Sequence, residues 1–270
     1  MGDMKGNDGK QIYERDQDTG EVHPYSVEHS VQLSARVGDH LLYGGNEKGT
    51  SYPIDRTKKE EKKLADFPGA YLDCLLADDK GYYPFFMNME GKEPVSQVAF
   101  LDSRFQEQQR LPLDSFGHHT FQGLLDSQSL YMIMDKEGGG KSLLVIDRKS
   151  GEMEDVPFTQ REISGLLDRG DQLLLLNSNP RSESSPSQLL EWDKKTKKIT
   201  RSIDFPGHIS LLQGEGEDLY ALAVVNGQSL LMHFQWKGDQ LQIQSKQGVS
   251  IPEGSYASLL FVNKNATPAK

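Results

Sequence analysis

The chain has 270 residues, with 40 acidic and 30 basic side chains and a formal net charge of −10 at pH 7. An acidic surface repels the phosphates of nucleic acids and anionic lipid head groups, so nucleic acid is excluded as a partner at this stage. No apolar run approaches the roughly 18 residues that a membrane-spanning helix needs, and the length allows one large repeat domain or two ordinary ones.

The N-terminal residues 1–10, "MGDMKGNDGK", are polar and glycine-rich. They lack the apolar core of a signal peptide and predict a flexible tether. They resemble the segment that follows the lipid-bearing cysteine of bacterial lipoproteins. That resemblance implies an extracellular protein, held at the cell surface through a removed N-terminal segment. A cytoplasmic protein with a disordered N-terminus is the alternative.

The sequence contains one cysteine, Cys74, within the apolar stretch "YLDCLLADD". A single cysteine cannot form an internal disulfide. No basic residue stands close to it in the sequence to activate the thiol. We therefore expect Cys74 to be buried and structural.

A sequence pattern of two apolar runs around a polar turn recurs along the whole chain. Its closing prolines stand at intervals of about 45 residues, a period typical of propeller repeats. These prolines are Pro24, Pro68, Pro112, Pro157, Pro206 and Pro252. An aspartate opens the turn before most of them, as Asp102, Asp147 and Asp193 do.

Each repeat predicts four short strands, named a to d in chain order. Strands a and b flank a Gly/Asp turn, strand b is strongly apolar, and an Asp–Gly turn reverses strand c into strand d. The closing proline suits the end of an edge strand, which can lose an N–H group. The segment 56–66, "RTKKEEKKLAD", looks helical by itself, but its place in the repeat predicts a c–d hairpin.

Four-stranded repeats of this length are blades of a β-propeller. The phrase "LLVIDRKSGEME…P…ISGLLDRGDQLLLL" resembles the bacterial propeller repeats of the YVTN, NHL and PQQ-like type. The fold class is therefore all-β, with six blades of four antiparallel strands. The chain begins and ends within a phrase, so the terminal strands would share a blade and close the ring. Rings of five or seven blades are the alternatives.

The predicted boundaries are a tether at 1–10, one propeller domain at 11–263 and a tail at 264–270. The quinone-dependent propellers carry a recurring tryptophan motif, and this chain has only Trp192 and Trp236. No cofactor is predicted.

The segments between strand d of one repeat and strand a of the next, called d–a segments, carry polar and aromatic residues in each repeat. A closed ring would gather them at the channel mouth. We predict a ligand-binding set there, consisting of Tyr71, His118, His119, Arg161, Glu162, His208 and Tyr256. No His-x-x-x-His or Cys-x-x-Cys spacing supports a metal site.

Two functions compete on this basis. The first is a non-catalytic, monomeric binding or scaffold propeller that presents its d–a segments and b–c loops to a protein, peptide or glycan. The second is a propeller hydrolase or lyase acting on a sugar or lactone, with His118, His119 or His208 as the base. A deep pocket with converging histidine and carboxylate groups would favour the enzyme.

Overall fold

The architecture is described from a computed structural model of the chain. It describes residues 11–15, 22–26, 33–37, 40–47, 50–56, 61–89, 93–179, 185–215 and 217–249. These residues form antiparallel sheets joined by short turns, with one 3-10 turn at Asp114–Phe116. No helix in the described part is long and apolar enough to cross a membrane.

The chain divides into two compact units, residues 1–121 and 122–270. The first unit holds a hairpin, a five-stranded sheet and a four-stranded sheet. The hairpin strands are β1 (Gln11–Arg15) and β2 (Val22–Ser26). The five-stranded sheet comprises β3 (Leu33–Val37), β4 (His40–Glu47), β5 (Thr50–Arg56), β6 (Glu61–Lys63) and β7 (Phe67–Pro68). The four-stranded sheet comprises β8 (Ala70–Ala77), β9 (Gly81–Asn88), β10 (Val95–Asp102) and β11 (Glu107–Pro112).

Three further four-stranded sheets follow in chain order. The first comprises β12 (His118–Leu125), β13 (Ser129–Asp135), β14 (Lys141–Asp147) and β15 (Met153–Pro157). The second comprises β16 (Ile163–Arg169), β17 (Gln172–Asn177), β18 (Gln188–Asp193) and β19 (Lys198–Asp204). The third comprises β20 (His208–Glu215), β21 (Asp218–Val225), β22 (Gln228–Lys237) and β23 (Gln240–Gly248).

The strands of each four-stranded sheet are neighbours in the order in which they occur along the chain. This confirms the predicted repeat of four antiparallel strands. The helical-looking segment contains β6, which pairs with β5, so the predicted hairpin is also confirmed there. The blade count, the closure of the ring and the domain boundaries stay predictions. The residues from 250 onward, which that closure requires, lie outside the described part.

The repeated aspartates hold the c–d turns. The Oδ1 atom of Asp147 accepts hydrogen bonds from the backbone N–H groups of Lys149 and Ser150, at 3.0 and 2.7 Å. Asp193 Oδ1 accepts one from the Thr196 hydroxyl at 2.7 Å and one from Thr196 N at 2.6 Å. These bonds to the charged form hold the pKa of both carboxyl groups below its ordinary value. The carboxylate replaces the backbone acceptors that a tight turn lacks, which explains why aspartate recurs at this place.

The apolar b strand β17 is buried on both faces because its sheet packs between two neighbouring sheets of the second unit. In β17, Leu173 and Leu175 pack against residues of β13 and β14. The alternate residues Leu174 and Leu176 pack against residues of β21 and β22. Successive side chains of a strand point to opposite faces, so a strand between two sheets needs an unbroken apolar run.

Cys74 lies on β8 in the first unit and is 6% exposed. The prediction that this thiol is buried is confirmed. Its neighbours on the strand, Leu72 and Leu75, are also buried, each at 3% exposure.

A cationic side chain also connects two sheets of the second unit. The Arg169 guanidinium lies 3.8 Å from the ring centre of Trp236, and its Nη1 lies 3.0 Å from Glu191 Oε1. The arginine thus satisfies the nearly buried Glu191 carboxylate while its flat face covers the indole. This contact fixes the ends of β16, β18 and β22 against one another.

Candidate functional site

The described residues of the predicted set occupy different environments. Tyr71 on β8 is 39% exposed. His118, at the start of β12, is exposed, as are Arg161 and Glu162 between β15 and β16. His208, at the start of β20, is buried at 3% exposure. The side chain of His119 and the whole of Tyr256 lie outside the described part.

His208 belongs to a buried polar cluster, formed with Ser178 and Ser187, that sequence reasoning did not anticipate. Ser178 follows β17 directly and Ser187 precedes β18, so the two serines flank the b–c loop of their sheet. They are 2% and 0% exposed. The Oγ atom of Ser178 lies 3.2 Å from His208 Nδ1 and 2.8 Å from Ser187 Oγ.

The hydrogen bonds of this cluster determine which atoms carry protons. The Ile209 carbonyl can only accept, so the Ser178 hydroxyl donates to it at 3.0 Å. The Ile209 N–H donates to Ser187 Oγ at 2.8 Å, and Ser187 in turn donates to Ser178 Oγ. Ser178 has then used its only proton, so His208 must donate from Nδ1. All three side chains are hydrogen-bonded in this arrangement.

This proton arrangement differs from that of a catalytic serine–histidine pair. A nucleophilic serine needs a neighbouring imidazole nitrogen that accepts its proton. Here Nδ1 already carries a proton and faces a serine that is 2% exposed. The cluster therefore acts as a structural connection between a b–c loop and the next d–a segment.

Backbone hydrogen bonds reinforce both ends of the loop. Ser178 N donates to the carbonyl oxygen of Glu162 at 2.8 Å, and Ser187 N donates to that of Gly207 at 2.8 Å. A Cβ atom at Gly207 would stand 2.5 Å from the carbonyl oxygen of Val224, so only glycine allows this approach. Ser178 and Ser187 are thus each fastened to a d–a segment, and the one that holds Ser178 carries the exposed Arg161 and Glu162.

The sequence did contain a weak signal for the two serines. Each stands immediately beyond an apolar strand, in "LLLLNS" and "SQLLEW". Serine at such a place is equally typical of a solvated loop, so its burial could not be recognised without the neighbouring sheet. Within the described part of the chain, no three His, Cys, Asp or Glu side chains are grouped so that they could hold a metal ion.

Comparison with solved structures identifies the fold. The chain resembles TolB from Acinetobacter baumannii, with a TM-score of 0.59 and 14% identity over 87% of this chain and 61% of that one. It also resembles the Pan2 WD40 domain of Neurospora crassa, with a TM-score of 0.55 and 13% identity over 81% of this chain and 65% of that one. A candidate 6-phosphogluconolactonase from Bacteroides uniformis gives a TM-score of 0.56 and 12% identity, over 90% and 82% of the two chains.

These structural relatives are β-propeller proteins, so the β-propeller fold predicted from the repeats is supported. The chain spans less than two thirds of the TolB and Pan2 chains that it matches. Neither the comparison with family models nor that with curated proteins gave a match. At these identities the likeness concerns the fold alone, and propeller folds carry unrelated functions.

Proposed function

We propose that this chain is a non-catalytic binding or scaffold β-propeller that presents its d–a segments and b–c loops to a protein, peptide or glycan. One observation carries the proposal. Ser178 and Ser187 are held by hydrogen bonds to each other and to His208 and Ile209, and Ser178 N bonds to the carbonyl oxygen of Glu162, beside the exposed Arg161. A polar surface on a rigid support is suited to recognition because little conformational entropy is lost on binding.

The hydrolase or lyase alternative requires a base that reaches solvent. His208 is 3% exposed, so its ring does not reach solvent, which favours binding over catalysis at this place. His118 is exposed and keeps the alternative open to test. The comparison structures include both TolB and a candidate lactonase, so the fold is compatible with either function.

The compartment and assembly state are part of the same proposal. The polar residues 1–10 would serve as a tether from a lipid anchor, and the acidic folded domain would act as a monomer outside the cell. Protease treatment of intact cells that produce the full-length protein provides the measurement. Complete protection of the protein in intact cells, with digestion after lysis, would favour the cytoplasmic alternative.

The binding surface is tested by a double charge reversal, Arg161→Glu with Glu162→Lys, which leaves the net charge unchanged. Ligands are first selected on the wild-type chain from a peptide-display library and a glycan array. Their affinities are then measured by calorimetry. We expect the double variant to weaken binding at least tenfold, because interface charges that meet the ligand make direct contacts. Its melting temperature should stay within a few degrees of wild type, since both side chains are exposed.

The matched control is Asp171→Lys with Lys195→Glu, which reverses two exposed charges in the a–b and c–d turns of the same unit. This variant should bind as the wild type does. Equal loss in both variants would contradict the proposed surface. Hydrolysis of a sugar lactone by the wild type, abolished by His118→Ala, would replace the binding function by the enzymatic one.

A further inference from the structure

A groove separates the outer strands of two neighbouring sheets in the second unit. It has a volume of about 320 Å³. We call it the lysine groove and define it by Pro157, Phe158, Trp192, Lys197, Lys198 and Ile199. Trp192 is 2% exposed and forms the floor, whereas Phe158 and Ile199 are only half-buried. The apolar surface that an incoming side chain could cover is therefore that of Phe158 and Ile199, since Trp192 beneath them is already covered.

The edge of this groove is cationic although the protein is acidic. Lys198 is exposed and has no ion-pair partner within the described part of the chain. Lys197 is paired with Glu154, but the two side chains are 39% and 52% exposed. Such an exposed pair contributes little and is readily exchanged for another carboxylate. Two lysines beside apolar surface on a chain of net charge −10 select an anionic ligand.

A second groove, in the first unit, has a similar construction but a different charge. In the first unit a cavity of about 210 Å³ is lined by Pro68, Phe86, Phe105, Glu107 and Arg110, among others. Phe105 and Lys197 have φ angles of 62° and 57° in corresponding c–d turns, so the grooves are built alike. In the first one, however, Arg110 is neutralised by two bonds to Glu107. Of these two grooves, the lysine groove differs in having Lys198, an exposed cation without a described ion-pair partner, in addition to the paired Lys197.

The strand at the side of the lysine groove favours an extended peptide as the occupant. β19 is the last strand of its sheet, and no described strand pairs with its outer edge. An extended segment can therefore hydrogen-bond along that edge while one of its side chains enters the groove. A small anion would use the lysines but leave Phe158 and Ile199 uncovered.

We propose that the lysine groove binds an extended acidic peptide segment of a partner protein, with one apolar side chain against Phe158 and Ile199 and flanking carboxylates on Lys197 and Lys198. This goes beyond the function proposed above, because it concerns other residues and a defined ligand chemistry. If the double variant at Arg161 and Glu162 binds its ligand normally, the proposal for the lysine groove is unaffected.

The test uses the full chain and a hexapeptide labelled at its N-terminal amine, fluoresceinyl-Asp-Glu-Leu-Phe-Glu-Asp-amide, whose binding is followed by fluorescence polarisation. Two matched peptides accompany it, one with alanine in place of Leu-Phe and one with lysine in place of every acid. We expect saturable binding of the first peptide and at least tenfold weaker binding of both others. Loss of a contact to a charged donor typically costs about tenfold in affinity.

The place where the peptide binds is determined from the signals of the two tryptophans of the chain. In an NMR titration the indole N–H signal of Trp192 should shift. That of Trp236, which lies under Arg169 in another part of the unit, should stay in place. The variant Lys197→Glu with Lys198→Glu should bind at least tenfold more weakly. The control Lys149→Glu with Lys195→Glu changes two exposed lysines outside the groove by the same charge and should bind normally.

Three results would overturn the proposal. The first is equal weakening in both double variants, which would indicate a general charge effect. The second is displacement of the peptide by inorganic phosphate at equal concentration, which would indicate a simple anion site. The third is concentration-dependent dimerisation, seen by sedimentation and abolished by the groove variant, which would assign the groove to a second copy of this chain.

Discussion

Lys194 connects two neighbouring sheets of the second unit, and its replacement by methionine is expected to destabilise that unit. Its Nζ atom lies 2.7 Å from Asp126 Oδ2 and 2.7 Å from Asp168 Oδ1. The side chains of Lys194 and Asp126 are only 18% and 15% exposed, so water screens their attraction weakly. The Tyr131 hydroxyl donates to the same Asp126 oxygen at 2.9 Å, and burial together with this carboxylate raises the pKa of Tyr131 to about 12.

The size of the effect follows from these contacts. A hydrogen bond between charged groups contributes about 1.5–3 kcal/mol when it is shielded from water. The bond to Asp168, whose side chain is 38% exposed, adds only about 0.5 kcal/mol. Asp126 keeps its bonds from the N–H groups of Gln128 and Ser129, so its carboxylate is not left without donors. We expect a loss of about 2–3 kcal/mol and a fall in melting temperature of about 4–10 °C.

Urea unfolding followed by circular dichroism measures this free energy for the wild type and Lys194→Met. The control is Lys195→Met, which removes an exposed lysine from the same turn and should cost less than about 0.5 kcal/mol. If both variants lose the same small amount, the bridge contributes no more than a surface pair and the reasoning from its burial is wrong.

Three other predictions concern pH, the thiol and a glycine. Burial raises the pKa of Asp126, but Lys194, two backbone N–H groups and a tyrosine hydroxyl together lower it below its ordinary value. The ionised Asp126 should therefore stabilise the fold above about pH 4, and this stabilisation should be lost as the pH falls through the lowered pKa. The loss of unfolding free energy should be smaller in Lys194→Met, as urea titrations at several pH values would show. Cys74 should react slowly with a thiol reagent in the native protein and quickly in denaturant; equal rates would place it at the surface. Gly81→Ala should destabilise the protein by about 2 kcal/mol or more in the same urea assay, because its Cβ would stand 2.2 Å from a backbone carbonyl oxygen. The control Gly248→Ala has open space around it and should be nearly neutral.

The strand order and the turn chemistry could be predicted because both depend on residues close together in the sequence. Asp147 accepts the N–H groups of residues two and three positions ahead, so its role is visible in the repeat itself. The unbroken apolar run of β17 likewise predicts burial on both faces, and the surroundings of Cys74 predict a buried thiol. The number of blades and the closure of the ring remain predictions from the spacing of the prolines.

Whether His208 faces a ligand or the interior could not be predicted locally. Its partner Ser178 is 30 positions away, and the contact forms only because β20 lies beside the end of β17. A register shift between Ile209 and Leu211 also changes the alternation of side chains along β20, and no simple strand pattern predicts such a bulge. The amino-acid sequence by itself thus determined which segments become strands and turns. Only the tertiary structure decided which polar side chains are used for internal hydrogen bonds and which remain exposed, because that depends on contacts between sheets that are distant in the chain.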